Sequence, residues 1–261
     1  ELIEPEILTF YRFLLGATLL GLYLIVTKRL SRNLFFKPWR YLILGGIYSI
    51  YFVFMFIALR YTSTISTSAI FALMPFATLI LDSMIFNKKS HSLIWLALCI
   101  SSVGALYIVF DGSLINALNF NLDFGELIFL IGTIVYSSYA LVQPRLNFGE
   151  NLLITTFGVL TAGTLILAMS IIIQGLDFTP TNISIGLVFL IIYLAIFASI
   201  GTILCLNFAS SRIPGTNVMA YSLLIPFWVL MFETFTKDSF APGYSYAVSY
   251  THLRAHETTL D

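Results

Sequence analysis

The chain has 261 residues, 59% of them hydrophobic and 10% charged, with a mean hydropathy of +0.94; soluble domains do not have this composition, and proteins built into a bilayer do. Its 13 basic and 13 acidic side chains cancel to zero net charge and lie scattered, which leaves no basic patch for a nucleic-acid partner. Cys99 and Cys205 fall inside apolar stretches without a close partner, and they read as small buried hydrophobes, not as a disulfide or metal pair.

A transmembrane helix needs about 20 apolar residues to cross a hydrocarbon core about 30 Å thick. Eight such segments follow one another, at roughly 7–26, 41–59, 65–86, 92–110, 124–142, 152–173, 183–206 and 216–235. The expected fold class is therefore all-α and integral to a membrane. Tyr41, Tyr61, Trp95, Phe110 and Phe124 stand near segment ends, where aromatic rings favour the headgroup boundary.

The first connection carries Lys28, Arg29, Arg32, Lys37 and Arg40. Cytoplasmic loops are enriched in Lys and Arg, so loops 28–40 and 87–91 are expected on the cytoplasmic side of the cytoplasmic membrane. Alternation then places Lys88, Lys89, Arg145 and Arg212 inside. Outside remain Arg60 and Lys237, with the acids Asp111, Asp123, Glu126 and Asp177.

Two stretches read alike: "ALRYTSTISTSAIFALMPFATLILDS" from Ala58 and "ASSRIPGTNVMAYSLLIPFWVLMFET" from Ala209, a shift of 151 residues. Pro75 and Phe76 fall on Pro226 and Phe227, and Asp82 falls on Glu233. Prolines and acids are rare in such helices, so their match points to an internal repeat. The offset gives each unit five helices, the eight visible being the second to ninth of an expected ten. Because five is odd, the second unit enters the membrane from the opposite side, an arrangement that builds a midplane site reached alternately from each face. The expected organisation is a first repeat at 1–110, an outer linker at 111–123 and a second repeat at 124–247. The missing initiator Met suggests that the first helix lies upstream of Glu1.

In "EPEILTFYRFLLGATLL", in "FIALRYTSTISTSAIFALMPFATLIL" and in "LNFASSRIPGTNVMAYSLLIPFWVLMFE" the chain resembles the EamA-like permeases of the drug/metabolite transporter superfamily. The resemblance covers residues 1 to about 246. It implies a ten-helix secondary transporter of small organic solutes. Where such permeases commonly show a Gly-Glu pair after the fourth helix, this chain has Asn87, Lys88 and Lys89, so any role of that Glu does not transfer.

Ionisable groups inside a bilayer need a reason. Arg12 sits near the outer end of its segment, either reaching to the headgroups or providing a fixed positive charge at an outer mouth. Asp82 and Glu233 lie near opposite faces. They read either as one acid at each gate, a desolvated carboxylate there being able to carry a proton, or as interfacial acids paired with Lys88 and Lys237. Pro75 and Pro226 interrupt their helices about midway, as hinges or as plain kinks. Two polar stripes complete the candidates: Asn217, Tyr221 and Trp228 on one helix, and Thr133, Tyr136, Ser137 and Ala140 on another. Either lines a cavity for an amphipathic metabolite such as an amino acid, or packs helix on helix.

These residues point to a transporter with a small-molecule substrate in a lipid bilayer, proton coupling among its options, and no cofactor or metal. An intramembrane enzyme would need clustered ligands or a nucleophile and base pair. Outside the C-terminal tail the only histidine is His91, in a loop, and Asp82 has no acidic neighbour in its helix. A channel or scaffold is the alternative. The tail "VSYTHLRAHETTLD" sets His252 and His256 at the spacing of two metal ligands on one helical face. It stands where a tenth apolar helix is expected, and "VSYTHLRAHET" resembles an in-frame translation of a transposase-type sequencing adapter. Residues 248–261 are therefore read as non-native and excluded from fold and function.

Overall fold

A computed structural model of the chain describes residues 4–29, 37–62, 64–87, 123–178 and 184–225, with short stretches at 94–96, 98–100 and 102–103 and single positions at 115 and 228. Every regular element among the described residues is helical. More than half of the expected segment 92–110, and residues 226–227 and 229–235 of the expected segment 216–235, lie outside the described residues, as do Lys88, Lys89, Pro226, Glu233 and the tail.

Helix α1 (Pro5–Val26) opens with proline in its first turn, where the missing N–H would have had no helical partner anyway. Helix α2 (Trp39–Leu59) follows. The expected segment 65–86 is two helices, α3 (Thr64–Phe71) and α4 (Met74–Phe86). Pro75 explains the division: it has no N–H for the Phe71 carbonyl, and its ring opposes continuation of the preceding turn. The chain unwinds at Ala72 and Leu73 and restarts with Pro75 in the first turn of α4.

Helices α5 (Phe124–Ser137) and α6 (Tyr139–Leu146) run as one span with a one-residue irregularity at Ser138. Helix α7 (Leu152–Gln174) is capped by the Asn151 side chain, which accepts from the Leu153 amide, and stopped by Gly175 at φ +67°, a conformation that glycine adopts without strain. Helix α8 (Ile185–Tyr193) passes through a π-helical segment, Leu194–Gly201, into α9 (Thr202–Ser210). Last come α10 (Gly215–Ala220) and a 3-10 turn, Tyr221–Leu224.

Five of these stretches are long and apolar enough to cross a membrane: Pro5–Val26, Trp39–Leu59, Phe124–Leu146, Leu152–Gln174 and Ile185–Ser210. Helix α2 packs between α7 and α5, and α1 packs on α7. Glycine lets α2 and α7 meet closely: a Cβ on Gly45 would stand 2.7 Å from the Ala162 Cβ and 2.8 Å from the Val159 carbonyl oxygen. Ser49 on α2 donates to the Gly163 carbonyl at 3.2 Å, a polar tie of the kind that holds helices together where both lipid and side chains are apolar.

Phe13, Leu44, Tyr48, Met74, Tyr139, Leu160 and Ile203 form the centre of the bundle. Its outside is apolar as well, with Val26, Ile172, Ile173, Ile185 and Phe189 all well exposed. Cys99 and Cys205 are free thiols on that exposed surface and not buried as expected; a small apolar side chain suits a lipid-facing position as well as a core, and composition does not separate the two.

Candidate functional site

Among the described residues, three groups of polar side chains stand out, one at the centre of this apolar bundle and one toward each end of α2, the one with Arg60 about half exposed. The central one is built on Arg12, seven residues into α1 and so roughly 10 Å along its axis. Its guanidinium carbon lies 4.5 Å from the centroid of the Phe52 ring and 5.4 Å from that of Phe13. Cation–π attraction of this kind contributes up to about 2 kcal/mol when desolvated. Placing an arginine at the centre of a membrane helix costs about 2.5 to 3.5 kcal/mol on insertion scales, so the rings offset only part of it. Nε and Nη2 of Arg12 are closed off from solvent and have no hydrogen-bond partner. The Arg12 guanidinium thus lies against Phe52 of α2.

Around it α1, α2, α3, α5 and α6 contribute one continuous set of rings. Tyr48 meets Phe52, Tyr136 and Tyr139 edge-on at 5.3, 5.7 and 5.9 Å, and Tyr51 stacks on Tyr136 at 4.7 Å. Phe71, the last residue of α3 before the break, lies 6.4 Å from Tyr136. Tyr139 is fully buried and donates to the Asn207 side-chain oxygen at 2.8 Å, and the Asn207 amide donates to the Thr156 hydroxyl at 3.1 Å. Those two bonds join α6, α9 and α7. One turn on from Tyr139, Gln143 is fully buried with neither amide atom bonded.

The second group lies where α1 and α5 begin and α2 ends. Arg60 donates to the Glu6 carboxylate at 2.7 Å and has Glu4 at 3.9 Å. The Thr62 hydroxyl donates to Glu126. Glu6 and Glu126 are both buried, and each keeps one carboxylate oxygen without a partner.

The third group lies at the other end of α2. Arg40, 2% exposed, donates to the Glu150 carboxylate at 2.5 Å, to the Leu146 carbonyl at 3.0 Å and to the Lys37 carbonyl at 3.2 Å. The Tyr41 hydroxyl donates to the second Glu150 oxygen at 2.6 Å, and the Phe148 ring covers Arg40 at 4.8 Å. Gly158 makes room for the Tyr41 ring, since a Cβ there would come within 2.4 Å of it. Asp82 on α4 belongs to this end: it is buried, 3.7 Å from Arg145 on α6, with Oδ1 lacking a hydrogen bond.

Of the residues singled out from sequence, Arg12 and Tyr136 come together in the ring set. Ser137 lies beside them but bonds to the Thr133 carbonyl at 2.7 Å and the Met74 carbonyl at 3.3 Å, tying α5 to the start of α4. Pro75 is buried at that same junction. Asp82 lies 3.7 Å from Arg145, 63 positions away; Lys88, the partner suggested by sequence proximity, lies outside the described residues. Asn217 and Tyr221 are exposed, Tyr221 at 68%, and do not join the ring set. Tyr41, expected at the headgroup boundary, is buried against Glu150, whereas Tyr61 and Phe124 are exposed and meet edge-on at 5.3 Å. Sequence reasoning missed Glu150, Tyr139 and Asn207. Asn207 had a signal, an amide inside the apolar run "ILCLNFAS"; Glu150, in a polar loop, had none.

An apolar exterior around buried charge and hydroxyl groups defines a multi-pass α-helical membrane protein. Residues 1–110 match the model of the EamA-like transporter family. Over 226 residues, 85% of this chain and 74% of the relative, the chain is 25% identical to the "Uncharacterized transporter YyaM" of Bacillus subtilis (strain 168). A solved crystal structure shares the fold with a TM-score of 0.73 at 15% identity, over 97% of this chain and 85% of that one. Together these findings support a membrane transporter similar to the EamA-like permeases, and point to a non-enzymatic one.

Proposed function

We propose that the chain is a secondary transporter that carries a small organic metabolite, such as an amino acid or related amphipathic compound, across the cytoplasmic membrane by alternating access. One observation carries this reading: α2 holds an ionic cluster at each end, Arg40 with Glu150 and Arg60 with Glu6, and the Arg12 ring set lies between them. The 20 residues from Arg40 to Arg60 span roughly 30 Å, the thickness of the hydrocarbon core. Ion pairs that close either end in turn would admit solute to the centre from one side at a time.

In this reading the Arg40 end faces the cytoplasm, following the basic residues of loops 28–40 and 87–91. The chain divides into repeats at 1–110 and 124–247, each part of a five-helix unit. The irregularities support that division: the unwound Ala72–Leu73 and the 3-10 turn Tyr221–Leu224 coincide under the same shift that sets Ala58 on Ala209. Breaks at matching places, Pro75 and Pro226 beside them, would supply hinges. Asp82, whose buried Oδ1 accepts no hydrogen bond and lies 3.7 Å from the Arg145 guanidinium, is the proton carrier of the cytoplasmic gate, and Glu233 its counterpart at the other face.

Counterflow in proteoliposomes tests the proposal. Preloaded solute is expected to accelerate entry of the labelled solute, and a dependence of accumulation on a pH gradient is expected to vanish in Asp82→Asn. Entry that is indifferent to preloading would identify a channel, and absence of uptake across a metabolite panel would contradict transport.

A further inference from the structure

Arg40 is buried in the bundle and Arg12 partly buried, and the two differ in what their guanidinium groups meet. Arg40 directs its donors to two carbonyls and the Glu150 carboxylate. Arg12 has Nε and Nη2 shut from solvent with no acceptor for either. These two nitrogens share one edge of the guanidinium plane, the fork that matches the two oxygens of a carboxylate. Phe52, at 4.5 Å, covers the charged group, Phe13 lies at 5.4 Å, and Tyr48 meets the Phe52 ring edge-on at 5.3 Å. No carboxylate of the described residues forms an ion pair with it.

We infer that Arg12 anchors the carboxylate of the transported solute, and that the solute is a monocarboxylate with an aromatic or bulky apolar body. The head takes the Nε and Nη2 edge, and the body lies against the rings of Tyr48, Tyr51, Phe52 and Tyr136. A cationic head would meet like charge. A phosphate head would bring a second negative charge to a cluster with one cation among the described residues. The inference deepens the transporter reading and rests on it for its meaning in the cell, but binding can be measured apart from transport.

The test uses the full chain in lipid nanodiscs and three probes of one shape: 3-phenylpropionate, its neutral amide 3-phenylpropionamide, and the cation 3-phenylpropylamine. Calorimetry is expected to show binding of the carboxylate at least about ten-fold tighter than the amide, the difference a charge-assisted pair of hydrogen bonds makes, and no binding of the amine. Arg12→Lys, which keeps the charge and loses the fork, is expected to weaken the carboxylate about ten-fold or more. Equal affinity for carboxylate and amide, an unchanged affinity in Arg12→Lys, or no saturable binding of any probe would overturn the inference. The comparison of probes on the unaltered protein stands even if the variant fails to fold. Carboxylate binding without counterflow would sink the transporter reading alone; counterflow insensitive to Arg12→Lys would sink this inference alone.

Discussion

Arg40 and Glu150 are each buried, and neither would be stable as a charge there alone. The pair recovers its desolvation cost through the contact with each other and through the Leu146 and Lys37 carbonyls and the Tyr41 hydroxyl. Removing one partner strands the other, which costs about 3 to 5 kcal/mol for a buried ion pair. Glu150→Ala is therefore expected to lower the midpoint of thermal denaturation in detergent micelles markedly. The double variant Arg40→Met, Glu150→Leu removes both charges and is expected to recover most of that loss. A double variant no more stable than Glu150→Ala would show that packing of the long side chains matters here and the charges do not.

Among the elements, the contact of α2 with α7 depends on Gly45 and not on its neighbour Gly46, although the two look equivalent in sequence. A Cβ on Gly45 would press on backbone, 2.8 Å from the Val159 carbonyl oxygen and 2.9 Å from the Gly163 nitrogen. A Cβ on Gly46 would find only the Ile166 Cδ1 at 3.6 Å, an ordinary contact. Gly45→Ala is expected to destabilise by about 1 to 3 kcal/mol, the usual cost of overpacking, because two helix backbones must separate. Gly46→Ala is expected to be neutral or slightly stabilising, alanine being the better helix former. Denaturation of the two variants side by side checks this, and equal losses would contradict the close approach. The break between α3 and α4 belongs to the same scale. It follows from Pro75 through the lost bond to the Phe71 carbonyl, so it was readable from the sequence as an interruption, although the length of apolar run suggested one helix.

Over the whole molecule, five of the eight expected membrane-crossing helices are present among the described residues; these were legible because bilayer thickness sets how long an apolar run must be, and that length is a local property of the chain. The partners inside the bundle were not, because they join distant positions: Arg40 reaches Glu150 across 110 residues and Tyr139 reaches Asn207 across 68. Periodicity can set Asn217 and Tyr221 on one face; it does not say what that face meets, and both are exposed. Nor does position along α1 tell whether Arg12 extends outward or folds onto Phe52, since a long flexible side chain can do either. The central claim is that α2 carries a closing contact at each end. Cysteines at Arg40 and Glu150, in a chain with Cys99 and Cys205 replaced by Ser, can be joined by a short thiol-cleavable linker in proteoliposomes and exchange followed by counterflow. Joined, the protein is expected to lose counterflow and to regain it on reduction; counterflow that continues at full rate with the two positions joined would contradict the account.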